Sequence, residues 1–272
     1  MGDPVPGPGP RWRGWPALLA EGLREPGLYN LATAGAQTAD VARDQLPRAL
    51  ALDPDVASVV VGTNDTLRAS FNPGRIAEAV AHTVGTLRGH GTVVLTMRLP
   101  DPGRMFGLPD SLARPLARRI HAVNSVLDDV AASHGTLHFD AAGDPATYDR
   151  RMWAADRLHP NERGHRRIAC CFHDLLAAAG FPVGPRPDPE PSNPPPTRRA
   201  EVTWLATRGL LWLMRRSTDL VPYLLAMAVR EWWSGPEPVP ALSAWSRGPG
   251  LQWPGPEGAS REAEAPLRPL WN

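Results

Sequence analysis

The sequence predicts an α/β fold built on a parallel sheet, followed by an extended C-terminal part. Short β-branched runs alternate with longer amphipathic patterns between Trp12 and about Gly180, as in proteins whose parallel strands are joined by crossover helices. The 32 prolines of the 272 residues are unevenly spread along the chain. One core with an extended tail therefore fits the composition better than two cores of similar size.

Four short apolar runs are predicted to be buried strands because they are rich in β-branched residues and bounded by turn residues. They cover residues 28–32, 57–61, 92–96 and 136–140. The segments between them carry apolar residues at spacings of three and four, which predicts helices. Asn72 and Pro73 are typical of a helix start, and Gly89 and Gly135 stand where helices should stop.

Composition divides the chain into four parts. We expect the α/β domain over residues 1–181, a proline-rich linker over 182–200, an apolar helical segment over 201–233 and a disordered tail over 234–272. The uncharged stretches of the helical segment are too short to cross a membrane. Seven of the ten tryptophans follow residue 200, so this segment either packs on the domain or a partner, which we favour, or makes peripheral contact with a membrane.

The bulk chemistry excludes several classes of function. The formal net charge is +1, and the basic residues, all arginine, form no stripe, so no nucleic-acid partner is expected.

The two cysteines, Cys170 and Cys171, are neighbours in a helical pattern and cannot easily pair, which fits buried thiols in a reducing compartment. No cysteine and histidine spacing indicates a metal site, and no cofactor is expected. The first residues contain no apolar signal region, so the cytoplasm is the default location. The oligomeric state stays open.

Three predicted loops carry residues suited to acyl transfer. Ligands of open α/β sheets gather beyond the carboxyl ends of the strands, and the loops there contain Gly35, Asn64 and the motif DRLHP. The backbone N–H of Gly35 and the amide of Asn64 are neutral donors for an oxyanion. His159 can act as a general base near neutral pH, and Asp156, three residues earlier, can orient its ring.

Each of these signals also has a plain structural explanation. Asn64 and Asp65 are common turn residues at strand ends, and Asp156 with His159 fits a helix-entry cap with a surface imidazole. Asp156, His159 and His165 together could hold a metal, but no second cluster of ligands is evident. The three loops favour catalysis only when they are taken jointly and in order.

The blocks NLATAG, GTND and DRLHP, in this order and spacing, resemble those of the SGNH, or GDSL-type, hydrolase family over roughly Gly2 to Gly180. The resemblance implies a flavodoxin-like three-layer α/β/α sandwich and hydrolysis of small-molecule, lipid or carbohydrate esters by a serine nucleophile. It also implies that Gly35 and Asn64 donate to the oxyanion, that His159 is the catalytic histidine, and that Asp156 supports it.

The chain departs from this family at the nucleophile. The family begins with a strand that ends in Gly-Asp-Ser, whereas here Pro4 follows Gly2 and Asp3. The serines at 58, 70, 111 and 125 are predicted to lie within elements or away from any strand-to-helix elbow. We therefore expect the nucleophilic serine and the first, central strand to lie upstream of Met1, and the chain as written to be inactive and less stable. The alternative is an inactive family member that acts as a binding or membrane-peripheral protein.

Overall fold

The computed structural model describes residues 13–24, 27–154, 159–192, 197 and 220–235. The end of the predicted linker, most of the predicted tail and residues 201–219 of the apolar segment lie outside these ranges.

Three parallel strands form the sheet of the described chain. They are β1 (Val56–Val59), β2 (Val93–Arg98) and β3 (Leu137–Asp140), in the spatial order β1-β2-β3. Ala57 lies opposite Val94, and Leu95 lies opposite Leu137. The strands predicted at 57–61, 92–96 and 136–140 are therefore confirmed to within about two residues, with β2 between the other two.

The prediction of a strand at residues 28–32 is wrong. This stretch has no regular secondary structure, and Leu28 and Tyr29 are 48% and 65% exposed. An extended segment forms a strand only where a neighbour supplies partners for its backbone groups. In the described part of the chain, no strand pairs with residues 28–32 or with the outer edge of β1. The side chain of Asn30 instead accepts the N–H of Ala32 at 3.0 Å, a local turn that competes with strand pairing.

The helices follow the predicted alternation. They are α1 (Trp15–Glu21), α2 (Thr38–Asp40), α3 (Leu46–Leu50), α4 (Thr63–Thr66), α5 (Pro73–Gly89), α6 (Pro102–Phe106), α7 (Asp110–His134), α8 (Glu162–Ala178) and α9 (Leu220–Ser234). A π-helical turn, Val41–Gln45, joins α2 to α3, and two 3₁₀ turns, Pro145–Tyr148 and Arg150–Met152, precede α8. Asn72 caps α5 by accepting the N–H of Arg75, and Gly135 ends α7 with φ 62°. The predicted start of α5 at Asn72 and the predicted end of α7 at Gly135 are confirmed.

Helices cover both faces of the sheet. One core joins Leu95 of β2 to Leu18 of α1 and Phe172 of α8, with the rings of Trp15 and Phe172 5.1 Å apart. On the other face α5 and α7 pack on each other and on β2, and their apolar residues, such as Val84 and Val123, are fully buried. The expected three-layer α/β/α arrangement is present, although the described sheet has three strands.

The first part of the predicted linker, residues 182–192, lies against the domain. The N–H of Gly184 donates to the carbonyl of Gly22 at 2.8 Å, and the thiol of Cys170 donates to the carbonyl of Pro187 at 3.2 Å. Arg186 forms an ion pair with Asp174 at 2.7 Å. These contacts hold the segment against the C-terminal end of α1 and the side of α8, whereas the domain boundary at residue 181 stays a prediction.

Gly62 makes the sharp turn from β1 into α4. Its φ of 119° is one that L side chains rarely adopt, and an added Cβ would lie 2.6 Å from Cγ1 of the buried Val123. The turn therefore requires glycine for two reasons, backbone conformation and space.

Buried His165 ties α8 to the start of α1. Its Nδ1 accepts the N–H of Trp15 at 3.2 Å, whereas its buried Nε2 has no hydrogen-bond partner in the described chain. Burial, followed by the nearby His159, lowers the pKa of His165 to about 4. The imidazole is therefore neutral at physiological pH, and charging it costs free energy in the folded state.

We expect Gly62→Ala to lower the free energy of unfolding by about 2 to 4 kcal/mol, because it adds both backbone strain and a clash in the core. Gly107→Ala is the matched control: Gly107 has φ 62° and nothing within 4 Å of an added Cβ, so it should cost only about 1 kcal/mol. Urea unfolding measures both changes. Equal losses in the two variants would show that Val123 does not crowd the turn.

We also expect the stability to fall as the pH drops below 6.5, the ordinary pKa of histidine. The unfolded chain takes up the proton at His165 first, so stability is complete above that pH and declines until about pH 4. The difference between the pKa of the unfolded chain and that of the folded protein corresponds to a loss of about 3 kcal/mol at most in the free energy of unfolding. His165→Gln carries no such proton, so the difference in unfolding free energy between it and the wild type should shrink over this range. The same substitution at the exposed His90 is the control, and parallel pH profiles for wild type and His165→Gln would contradict the assignment.

Candidate active site

The structure brings the Gly35 loop and the Asn64 loop together. The amide Nδ2 of Asn64 donates to the carbonyl oxygen of Ala36 at 2.9 Å. The two loops are separated by 28 residues in sequence, and each was predicted to follow a strand. Two of the three predicted loops thus meet where β1 ends.

A buried carboxylate holds the two loops in contact. Asp65 accepts the backbone N–H of Thr38 at 3.2 Å and the hydroxyl of Thr38 at 2.7 Å, and both residues are buried. Burial raises the pKa of Asp65, and the hydrogen bonds from Thr38 oppose that rise. Sequence reasoning treated Asp65 only as a turn residue. A carboxylate that is buried at a strand end needs hydrogen-bond donors from a neighbouring segment, and this requirement could have indicated the role of Asp65.

The space beside the Cα of Gly35 is open. Its φ is 83°, and an added Cβ would find no atom within 4 Å. Among the residues that the structure describes, no acceptor receives the N–H of Gly35. Within that part of the chain this N–H has no competing acceptor, which the predicted oxyanion role requires.

In the described chain, one amide hydrogen of Asn64 is bonded and the other has no acceptor. It lies on α4, directly after the Gly62 turn, and is half-buried. A carboxamide nitrogen carries two hydrogens, and the bond to Ala36 uses one of them. That bond also fixes the orientation of the amide group, since the nitrogen must face the Gly35 loop.

His159 lies directly before α8 in a loop held by backbone bonds. Its carbonyl accepts the N–H of Ala154 at 2.9 Å, and Trp153 forms a bridge with Pro160. Asn161 caps α8 by accepting the N–H of Gly164, and its amide donates to the carbonyl of Arg151 at 2.8 Å. The backbone of His159 is thus fixed from both sides.

The partner predicted for His159 is Asp156, which lies outside the described residues. The pair therefore stays a prediction. The meeting of His159 with the two donor loops also stays a prediction. The described contact joins Asn64 to Ala36, the residue after Gly35.

The rival metal site of Asp156, His159 and His165 is not tested, because Asp156 lies outside the described residues. Within the described ranges, no group of three or more His, Cys, Asp or Glu side chains is arranged to hold a metal ion. Nδ1 of His165, one of the three ligands considered, already accepts a backbone N–H from Trp15.

The described serines do not lie at a strand-to-helix turn. Ser58 is within β1, Ser111 and Ser125 are within α7, and Ser70 lies between α4 and α5. Ser125 donates to the carbonyl of His121 at 3.1 Å, an ordinary bond within a helix. The two cysteines lie within α8, and burial raises the pKa of both thiols, which disfavours the reactive thiolate.

Several solved structures resemble this chain. LAE5, an alpha/beta hydrolase enzyme from the metagenome of Lake Arreo in Spain, is 24% identical with a TM-score of 0.49, over 61% of this chain and 81% of its own. Axe2, an acetylxylan esterase from Geobacillus stearothermophilus, is 20% identical with a TM-score of 0.48, over 62% and 82%. TesA is 24% identical with a TM-score of 0.43, over 61% and 88%.

Among curated proteins, envelope glycoprotein H of human herpesvirus 1 (strain 17) is 30% identical over 165 residues. The match spans 53% of this chain but only 19% of the length of the glycoprotein.

The family comparison covers the part of the chain that carries the candidate site. The model of the GDSL-like lipase/acylhydrolase family matches residues 1–167, which include Gly35, Asn64, Asp156 and His159. Since this match extends over more than half of the sequence, the chain belongs to the GDSL-like lipase/acylhydrolase family.

Proposed function

We propose that this protein is an ester hydrolase in which Gly35 and Asn64 stabilise the oxyanion and His159 moves the proton. The observation that supports the proposal is the bond from Asn64 to the carbonyl of Ala36, the residue after Gly35, which joins the two loops that carry the proposed donors. Two converging neutral donors suit the negative charge that develops on a carbonyl oxygen during ester cleavage.

The position of His159 agrees with this assignment. Parallel strands present their carboxyl ends at one edge of a sheet, where β1 leads into the Asn64 loop. α8 follows β3 and packs on it, and His159 lies just before its first turn. Asp156, three residues earlier, is proposed to accept the Nδ1 proton and hold the imidazole in the required tautomer.

The reaction then follows the acyl-enzyme route. A serine Oγ attacks the ester carbonyl carbon while His159 takes the hydroxyl proton, and Gly35 and Asn64 donate to the resulting oxyanion. Collapse of this intermediate breaks the bond to the alcohol, which receives the proton from His159. Water then attacks the acyl-serine with His159 again as base. Collapse of this second intermediate breaks the bond between the acyl carbon and Oγ, His159 returns the proton to the serine, and the acid is released.

We propose that the serine belongs to a segment upstream of Met1. The sequence contains no Gly-Asp-Ser. In the described chain, both residues 28–32 and the outer edge of β1 have no strand beside them. In a flavodoxin-like sheet one strand lies between these two positions. A strand inserted there would pair with both and would present its C-terminal residue to the oxyanion donors.

A chain extended upstream should hydrolyse p-nitrophenyl acetate, whereas the 272-residue chain should not exceed the background rate, because only the longer form supplies a nucleophile. Reading the genomic DNA before the start codon gives the sequence to add, and Ser→Ala in the added Gly-Asp-Ser is the control. A stop codon directly upstream, together with no turnover, would support the alternative of an inactive binding protein.

In the extended protein, Asn64→Ala should lower kcat by about 100- to 1,000-fold with little change in KM, because the donor acts mainly on the transition state. Asn72→Ala is the matched control: this asparagine caps α5, so its loss should cost about 1 kcal/mol of stability and leave kcat unchanged.

His159→Ala should lower kcat by at least about 100-fold in the same assay, because it removes the general base. Retention of nearly full activity would overturn the assignment of His159. Circular dichroism and thermal unfolding of the variant show whether a loss of activity reflects a loss of fold.

A further inference from the structure

Helix α9 is attached to the domain through a nearly buried ion pair. Both terminal nitrogens of Arg118 on α7 donate to the carboxylate of Glu231, with Nη1 at 3.1 Å from Oε1. The side chain of Glu231 is only 8% exposed. α9 follows the part matched by the family model, so it is an addition to the shared hydrolase domain.

The opposite side of α9 is apolar and exposed. Leu225, Val229, Trp232 and Trp233 are 59%, 58%, 78% and 80% exposed. Their spacing of four, seven and eight residues places them on one face of the helix. The two indole rings lie edge to face, with centroids 6.1 Å apart. A continuous apolar stripe of this kind on an exposed helix marks a contact surface.

The charges of α9 are sorted between its two sides. Glu231 is the only acidic residue of the helix, and its pairing with Arg118 turns it inward. The exposed Arg230 lies at the border of the apolar stripe. The outer side of α9 therefore combines apolar side chains, two tryptophans and one positive charge, whereas the acidic residue of the helix, Glu231, faces α7.

This combination fits a lipid surface. Tryptophan is enriched where a membrane meets water, because its ring is apolar and its N–H is polar. Arginine at the border is attracted to anionic headgroups. The 15 residues of α9 extend about 22 Å at 1.5 Å per residue, less than the hydrocarbon thickness of a bilayer. No helix in the described ranges reaches the length and hydropathy needed to cross a membrane. We propose that the outer face of α9 is an interfacial docking surface for anionic membranes.

The proposal extends to the candidate site, because α7 contacts both α9 and the donor loop. Arg119, next to Arg118 on α7, donates to the carbonyls of Thr66 and Arg68 at 2.9 Å each, directly after the Asn64 loop. The same stretch of α7 therefore holds both α9 and the donor loop. This consequence rests on the proposed ester hydrolysis, and it favours esters presented at a lipid surface.

The test is binding of the full 272-residue chain to vesicles, which requires no catalytic activity. Cosedimentation is measured with phosphatidylcholine vesicles that contain or lack phosphatidylglycerol. Replacing both Trp232 and Trp233 by alanine should lower the partition coefficient at least about tenfold, which corresponds to about 1.4 kcal/mol. Arg230→Glu should weaken binding to the anionic vesicles about fivefold or more and leave binding to the neutral ones unchanged.

The matched control replaces Leu28 and Tyr29, an exposed apolar pair elsewhere on the surface, by alanine and should not change the partition coefficient. The proposal is overturned if the wild type binds neither kind of vesicle or if the control loses as much binding as the tryptophan variant. It is also overturned if light scattering finds a dimer that the tryptophan substitutions dissociate, because a second copy of the chain would then occupy this face.

Discussion

The geometry of the candidate site depends on one buried carboxylate. Asp65 accepts hydrogen bonds from both the backbone N–H and the hydroxyl of Thr38. Removal of either side chain would leave a buried polar group without a hydrogen-bond partner. Because of this constraint, the start of α2 and helix α4 cannot move independently. The bond from Asn64 to Ala36 then sets the amide orientation within a frame that is already fixed.

The sequence allowed most of the helices and three strands to be predicted, because their signals are local. Asn72 before Pro73 satisfies a free N–H of the helix that it starts, and Gly135 adopts a conformation that other residues avoid. Residues 28–32 were mispredicted because their apolar, strand-like pattern does not show whether a neighbouring strand is present. The contacts of residues 182–192 were also missed, since the prolines indicate an extended backbone but not the surface against which it lies.

The contact between two loops of the candidate site was predictable, whereas the roles of their residues stay predictions. Gly35 and Asn64 were selected because each follows a predicted strand, and the structure places their loops in contact. The role of Asp65 could not be derived from its spacing, because it depends on a donor 27 residues away in sequence. The inward orientation of Glu231 likewise depends on Arg118, 113 residues earlier, so sequence reasoning could not decide between the two sides of α9.

The open edge of β1 has a consequence for how the chain behaves in the cell. In the described sheet, the backbone groups along this edge have no strand beside them, and Val60, just past the end of β1, is 36% exposed. Unpaired edges of this kind act as templates on which other extended chains align. Copies of the protein in which nothing else covers this edge would pair with one another there, and such association is what chaperones and proteases limit.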